Sequence, residues 1–158
     1  MEIREWKKED YLVSTDKTKI DITVVHRFLS QSYWAEGIPI EVVKQSIDNS
    51  LCFVLYHQQK LIGFARVISD FATFAYLADV FILPDKRGKG LSKWLMRIII
   101  EHPQLQGLRR FTLATRDAHG LYAQFGFTPF DKPERWMQRH NPDVYKRIKG
   151  HRNNQSLK

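Results

Sequence analysis

Apolar residues recur along this chain in two rhythms, and the rhythms take turns. Period-two runs over residues 51–56, 61–69 and 73–83 predict strands, the first two joined by a turn at 57–60 as a hairpin. Helical spacing appears first at Val24, Val25, Phe28 and Leu29, behind Asp21 as N-cap, in a helix running to about Tyr33. It returns at Ile40, Val43 and Ile47, where Pro39 starts a second helix. A third set, Leu91, Trp94, Leu95, Ile98 and Ile99, stops before Pro103. Residues 1–21 are polar and mixed, with one strand expected at 11–14 and a turn at Asp16 and Lys17. Downstream, a strand is expected over 109–115 and a short helix over 118–125, closed by Gly126 in a left-handed cap. Closing strands are expected at 127–130 and 135–138, a last helical turn at 142–148, and a frayed basic tail over 150–158.

One stretch, residues 77–101, organises the rest. It reads as a buried strand, then Pro84, then Arg87-Gly88-Lys89-Gly90, then a helix. A glycine turn opening a helix presents free N–H groups and the positive end of the helix dipole, which favour an anion. Arg87, Lys89 and Lys93 add positive charge there. Two glycines and a few cations at a helix start can also be no more than a tight solvated turn, because short motifs carry a false-positive risk.

The chain has 158 residues, 43% hydrophobic and 27% charged, which suits one globular domain over 1–149. Its single cysteine, Cys52, excludes an internal disulfide and fits a reducing, cytoplasmic setting. No apolar run reaches membrane-spanning length, so no membrane partner is expected. The net charge of +8 permits nucleic-acid binding, but no recognition helix or RNA-binding aromatic motif accompanies it. The six histidines show no metal-ligand spacing, and no metal is expected.

The turn sequence Asp85-Lys86-Arg87-Gly88-Lys89-Gly90 resembles motif A of the GNAT superfamily of acetyl-CoA-dependent N-acetyltransferases. Asp85 departs from the family's Gln or Arg, which touches a side-chain contact rather than the backbone cradle. The segment Leu121-Tyr122-Ala123-Gln124-Phe125-Gly126-Phe127 is similar to motif B. Two motifs in order make a specific signal, and the element order matches over almost the whole chain. The resemblance implies an α+β fold: a mixed, mostly antiparallel sheet of about seven strands flanked by about four helices. It implies acetyl-CoA as acetyl donor, with the diphosphate on the amides of Arg87, Gly88, Lys89, Gly90, Leu91 and Ser92. Val80 and Ile82 would pair with the pantetheine arm, with Phe81, Asp117, Leu121, Tyr122 and Phe125 nearby. A homodimer is common for the family.

Acetyl transfer to an amine needs a neutral nucleophile, a stabilised oxyanion and a proton for the departing thiolate. The resemblance makes Tyr122 the acid, since a phenol is protonated at neutral pH. Asp79 is the candidate base or ammonium holder, against the alternative of an ion pair with Arg66 or Arg116. Asp117 reads better as an N-cap, and His119 as an exposed helix-start residue. Trp34, Glu36, Phe74 and Trp136 are acceptor-site candidates, and Tyr33 and Phe71 could join them in an apolar pocket. Aromatics at such positions are more often core. The leading function is therefore transfer of acetyl to a primary amine of a small molecule or peptide. The others are a coenzyme A-binding module without transferase activity and a basic nucleic-acid binder.

Overall fold

A computed structural model describes residues 1–146. A single six-stranded sheet carries the order β1-β2-β3-β4-β5-β6. Its strands are β1 (Glu5–Lys8), β2 (Tyr11–Ser14), β3 (Leu51–His57), β4 (Lys60–Ser69), β5 (Phe74–Ile82) and β6 (Arg110–Leu113). The first five pair antiparallel and only β5 and β6 run parallel, so the sheet is mixed and mostly antiparallel. The helices are α1 (Ile22–Gln31), α2 (Ile40–Asp48), α3 (Leu91–Ile100) and α4 (His119–Ala123). The Asp21 carboxylate caps α1, accepting from the N–H groups of Thr23 and Val24.

The sheet separates two cores. On one face Leu91, Leu95, Met96 and Ile99 of α3 pack with Phe53, Leu55, Val67, Ala75 and Leu77. On the other, Val25 and Leu29 of α1 and Val43 and Ile47 of α2 pack with Cys52, Val54, Phe64 and Phe81. Burial pushes the Cys52 thiol up to about 12, so it is an inert core group.

Three expectations are corrected. Among the described residues the sheet has six strands rather than about seven, because 127–130 and 135–138 form none. Pro129 and Pro133 withhold ladder donors from that segment, which instead makes a 3-10 turn at Pro133–Arg135. The first strand is β1, not residues 11–14. It forms a hairpin with β2 and was hidden by its charges, as edge strands often are. Its Trp6 lies 6.4 Å from the Phe53 ring between centroids. The expected strand 109–115 is shorter, ending at Leu113. The expected helical turn at 142–148 is described only through Lys146, and the tail at 150–158 lies outside the described residues.

Candidate active site

The site begins where β5 and β6 part. Their parallel register runs from Phe74 opposite Arg110 to Leu77 opposite Leu113 and stops there. β5 continues alone on that side from Ala78 to Ile82, leaving main-chain groups without a neighbouring strand. At the same place β5 carries a bulge. Phe64 faces Phe81 and Arg66 faces Ala78, so Asp79 and Val80 together oppose Ala65. Asp79 takes up the extra length at φ +54°, an uncommon conformation for a residue other than glycine. The bulge reverses the side-chain alternation. Ala75 and Leu77 face α3, but beyond the bulge Ile82 faces α3 while Phe81 faces α1.

The fork opens into a cleft of about 1090 Å³. Its far wall is the glycine turn. Pro84–Lys86 forms a 3-10 turn, Gly88 and Gly90 take φ +80° and +74°, and Gly90 serves as N-cap of α3. No side chain caps that helix, so its first amides stay available. A Cβ at Gly88 or Gly90 would meet nothing within 4 Å, so the backbone angle and not crowding requires glycine there. The Arg87 Nε–H turns back to the Ile82 carbonyl at 3.0 Å and ties the turn to the end of β5. Asp85 is exposed on the 3-10 turn.

Tyr122 enters the cleft from α4. The helix ends in two reversed bonds, Gly126 N–H to Ala123 C=O and Phe127 N–H to Tyr122 C=O, with Gly126 at φ +86°. Tyr122 is buried, and burial pushes its hydroxyl up to about 12, with Tyr33 and Asp117 acting in the same direction. Among the described residues its hydroxyl has no hydrogen-bond partner within the protein. Asp117 is not the N-cap of α4. Ala118 occupies that place, its N–H donating to Thr115 Oγ1 at 3.0 Å, and Asp117 stands exposed on the cleft rim.

The Asp79 carboxylate faces the α1 and α2 side. Arg66 Nε–H donates to its Oδ2 at 2.8 Å and Trp34 Nε1–H to its Oδ1 at 3.0 Å. The two ionic side chains are 14% and 10% exposed, so this is a largely buried pair at the cleft wall, and the partner of Asp79 is Arg66, not Arg116. The guanidinium of Arg116 instead lies 3.9 Å from the Tyr33 ring centroid, and the Arg116 N–H donates to the Tyr33 hydroxyl at 3.1 Å. Tyr33 thereby links the α1–α2 loop to the β6–α4 loop across the mouth.

Of the residues singled out from sequence, the cleft lining gathers Trp34, Asp79, Val80, Phe81, Ile82, Arg87, Gly88, Gly90, Leu91, Ser92, Asp117, Leu121 and Tyr122. Six lie outside it, among them Phe71, which packs against the α3-side core. Lys89 and Glu36 are exposed, and Phe125 lines a separate hollow of about 360 Å³ beside β6. Phe74 sits at the outer start of β5. Trp136 stacks on Phe130 at 4.0 Å with the Arg110 guanidinium 4.9 Å from its ring centroid. The lining also holds Phe28, Tyr76 and Tyr145, for which the sequence carried no local site signal, and Arg66, expected only as an ion-pair partner of Asp79.

Comparison with known proteins identifies the family. The family model for the acetyltransferase (GNAT) domain matches residues 48–129. A Gibberella zeae protein named as an acetyltransferase is 32% identical over 142 residues, covering 75% of this chain and 79% of its own. The crystal structure of a GNAT-family protein from Xanthomonas campestris superposes with a TM-score of 0.85 at 54% identity, covering 88% of this chain and 99% of that one. A Clostridium acetobutylicum acetyltransferase crystallised with acetyl-CoA shares the fold at a TM-score of 0.59 and 13% identity, over 88% of this chain and 95% of its own. The chain belongs to the GNAT family of acetyltransferases.

Proposed function

We propose that this protein transfers an acetyl group from acetyl-CoA directly to a primary amine. The observation that carries the reading is the fork: a strand edge left open from Ala78 to Ile82, leading to a helix start with uncapped amides. Those residues suit an extended amide-bearing arm that ends in a diphosphate. The amides from Gly88 to Ser92 hold the diphosphate, and Lys86 and Arg87 add positive charge on the cleft lining. Val80 and Ile82 offer main-chain groups to the arm. When bound, acetyl-CoA supplies the acetyl group activated as a thioester.

The amine loses one proton to water before it attacks. Its nitrogen then bonds to the acetyl carbon as the carbon–sulfur bond breaks, and the sulfur leaves with the electron pair. The Val80 N–H stabilises the oxygen on which charge develops. Tyr122 gives its hydroxyl proton to the sulfur and recovers a proton as the nitrogen sheds its second. Asp79 is already engaged through both oxygens, so it holds the Arg66–Trp34 wall in place and water takes the ammonium proton.

Isothermal titration with acetyl-CoA tests the first half of this reading, and the expected result is one site per chain. A Gly88→Ala, Gly90→Ala double variant that stays folded should bind it at least about tenfold more weakly, a loss of about 1.4 kcal/mol. No binding to the wild-type chain, or equal binding by the double variant, overturns it.

A further inference from the structure

The cleft has a second wall, on the α1 and α2 side of the sheet, and its chemistry is unlike the glycine turn. Phe28, Trp34, Val42, Tyr76, Phe81 and Tyr145 make it largely apolar and aromatic. Phe28 and Phe81 stack at 3.9 Å between ring centroids, so they form one rigid surface. The Tyr76 and Tyr145 hydroxyls are pushed up, first by burial and then by nearby Asp79, so both stay neutral.

Charge on this wall is already spent. Its ionic side chains are Arg66 and Asp79, and they neutralise each other at 2.8 Å. Trp34 takes the other carboxylate oxygen. The remaining carboxylate on the cleft lining is Asp117, on the rim, with a side chain 68% exposed and Arg116 beside it at 3.9 Å. Across the whole lining, Arg66, Lys86, Arg87 and Arg116 face only Asp79 and Asp117. An acceptor with several ammonium groups would find, among the described residues, no carboxylate on this wall beyond the one Arg66 already pairs. It would instead bring several charges onto a largely apolar wall with nothing to pair them, which is costly. An acceptor with one amine and an apolar body meets matching surface, and the aromatic faces accommodate its single ammonium before proton loss.

We propose that the acceptor is a monoamine with an aromatic or apolar body, and that Trp34, Tyr76 and Tyr145 select it. This rests on the acetyl-transfer reading and deepens it. Among the described residues the wall offers no second carboxylate, which disfavours polyamines, aminoglycosides and basic peptides.

The test measures release of coenzyme A thiol with 2-phenylethylamine, tryptamine, spermidine, kanamycin and a lysine-containing peptide, each at several concentrations. The expected result is a kcat/KM for an arylalkylamine at least about tenfold above every polycation, the size of discrimination one pocket contact supplies. Tyr145→Ala should raise the arylalkylamine KM by about tenfold while acetyl-CoA affinity stays within about twofold. Ser46→Asp places a carboxylate on the lining from α2, and should raise the spermidine rate relative to wild type. Thermal melts establish that both variants fold. Preference for spermidine, kanamycin or the peptide overturns the proposal, as does an unchanged arylalkylamine KM in folded Tyr145→Ala. Acetyl-CoA binding without turnover of any monoamine also overturns it, while absence of acetyl-CoA binding sinks the underlying reading instead.

Discussion

Phe127 holds Tyr122 twice. Its N–H donates to the Tyr122 carbonyl at 3.3 Å, and the two rings meet edge to face with centroids 6.1 Å apart. The C-terminal cap of a short helix is thus also the mounting of the proposed acid. The mounting turns on Gly126 at φ +86°, and a Cβ there would meet nothing within 4 Å, so its cost is backbone strain alone. Gly126→Ala should destabilise the fold by about 1–2 kcal/mol. It should also lower kcat more than acetyl-CoA affinity, as steady-state kinetics with titration will read.

Tyr122→Phe should lower kcat by about 100-fold or more with little change in acetyl-CoA affinity. The pH dependence has a definite sign. The folded hydroxyl is pushed up to about 12, above the unfolded value of about 10. The folded chain therefore holds this proton more tightly. Its contribution to stability is complete below pH of about 10 and is lost as pH rises towards about 12. Alkaline melts of Tyr122→Phe should lose less stability over that window than wild type.

The Arg66–Asp79 pair predicts a coupling. Arg66→Met leaves a largely buried carboxylate without its cation but still held by Trp34, and should cost about 1–3 kcal/mol. Arg66→Met with Asp79→Asn should cost less than the sum of the single changes, by about 1–3 kcal/mol in a denaturant-unfolding cycle. Asparagine keeps the tolerance for positive φ that the bulge demands. Strict additivity would mean that the pair is not coupled.

Glycines in this chain answer to different constraints. A Cβ at Gly63 would lie 2.7 Å from Ile82 Cδ1 and 3.1 Å from the Phe81 carbonyl, next to the bulge. Gly63→Ala should cost about 1–3 kcal/mol by overpacking, visible as a lowered melting temperature. Gly88→Ala meets no crowding but must strain the backbone at φ +80°, so it should cost about 1–2 kcal/mol, as at Gly126, and should also weaken acetyl-CoA binding.

His102 predicts an acid weakness. Its ring is fully buried against Phe53 and Trp6, and its Nδ1 accepts from the Gln104 N–H at 3.3 Å. The proton therefore sits on Nε2, which has no partner among the described residues. Burial first, then Arg4, hold its pKa below the ordinary value. The unfolded chain takes up this proton more readily, so stability should fall as pH drops below about 6.5. His102→Leu should flatten the melting temperature between about pH 6.5 and pH 5.

The legible part of this molecule was what local spacing encodes. The strand, glycine turn and helix over 77–101 and the capped helix at Tyr122 stand where their residues indicate, because glycine angles and helix caps are decided within a few positions. The Asp79 bulge escaped, since a period-two reading has no signal for one extra residue. Strict alternation would put Asp79 and Phe81 on one face with Leu77, whereas the structure moves Phe81 to the other. Arg66 and Tyr145 reach the cleft from distant parts of the chain, a placement only tertiary packing decides. Phe74 and Trp136 lie outside the cleft lining, because an aromatic side chain in the sequence carries no signal for which cavity, if any, it faces.

The parting of β5 and β6 has a consequence for how this chain can change over generations. Recognition written in peptide groups survives nearly any side-chain replacement, because every residue but proline brings the same donor and acceptor. Recognition written in phenols, an indole and one ion pair is rewritten by single substitutions. On the function proposed above, new acceptors are within mutational reach of this scaffold, while the strand-edge part of donor binding is inherited almost unaltered, the two glycines of the turn excepted.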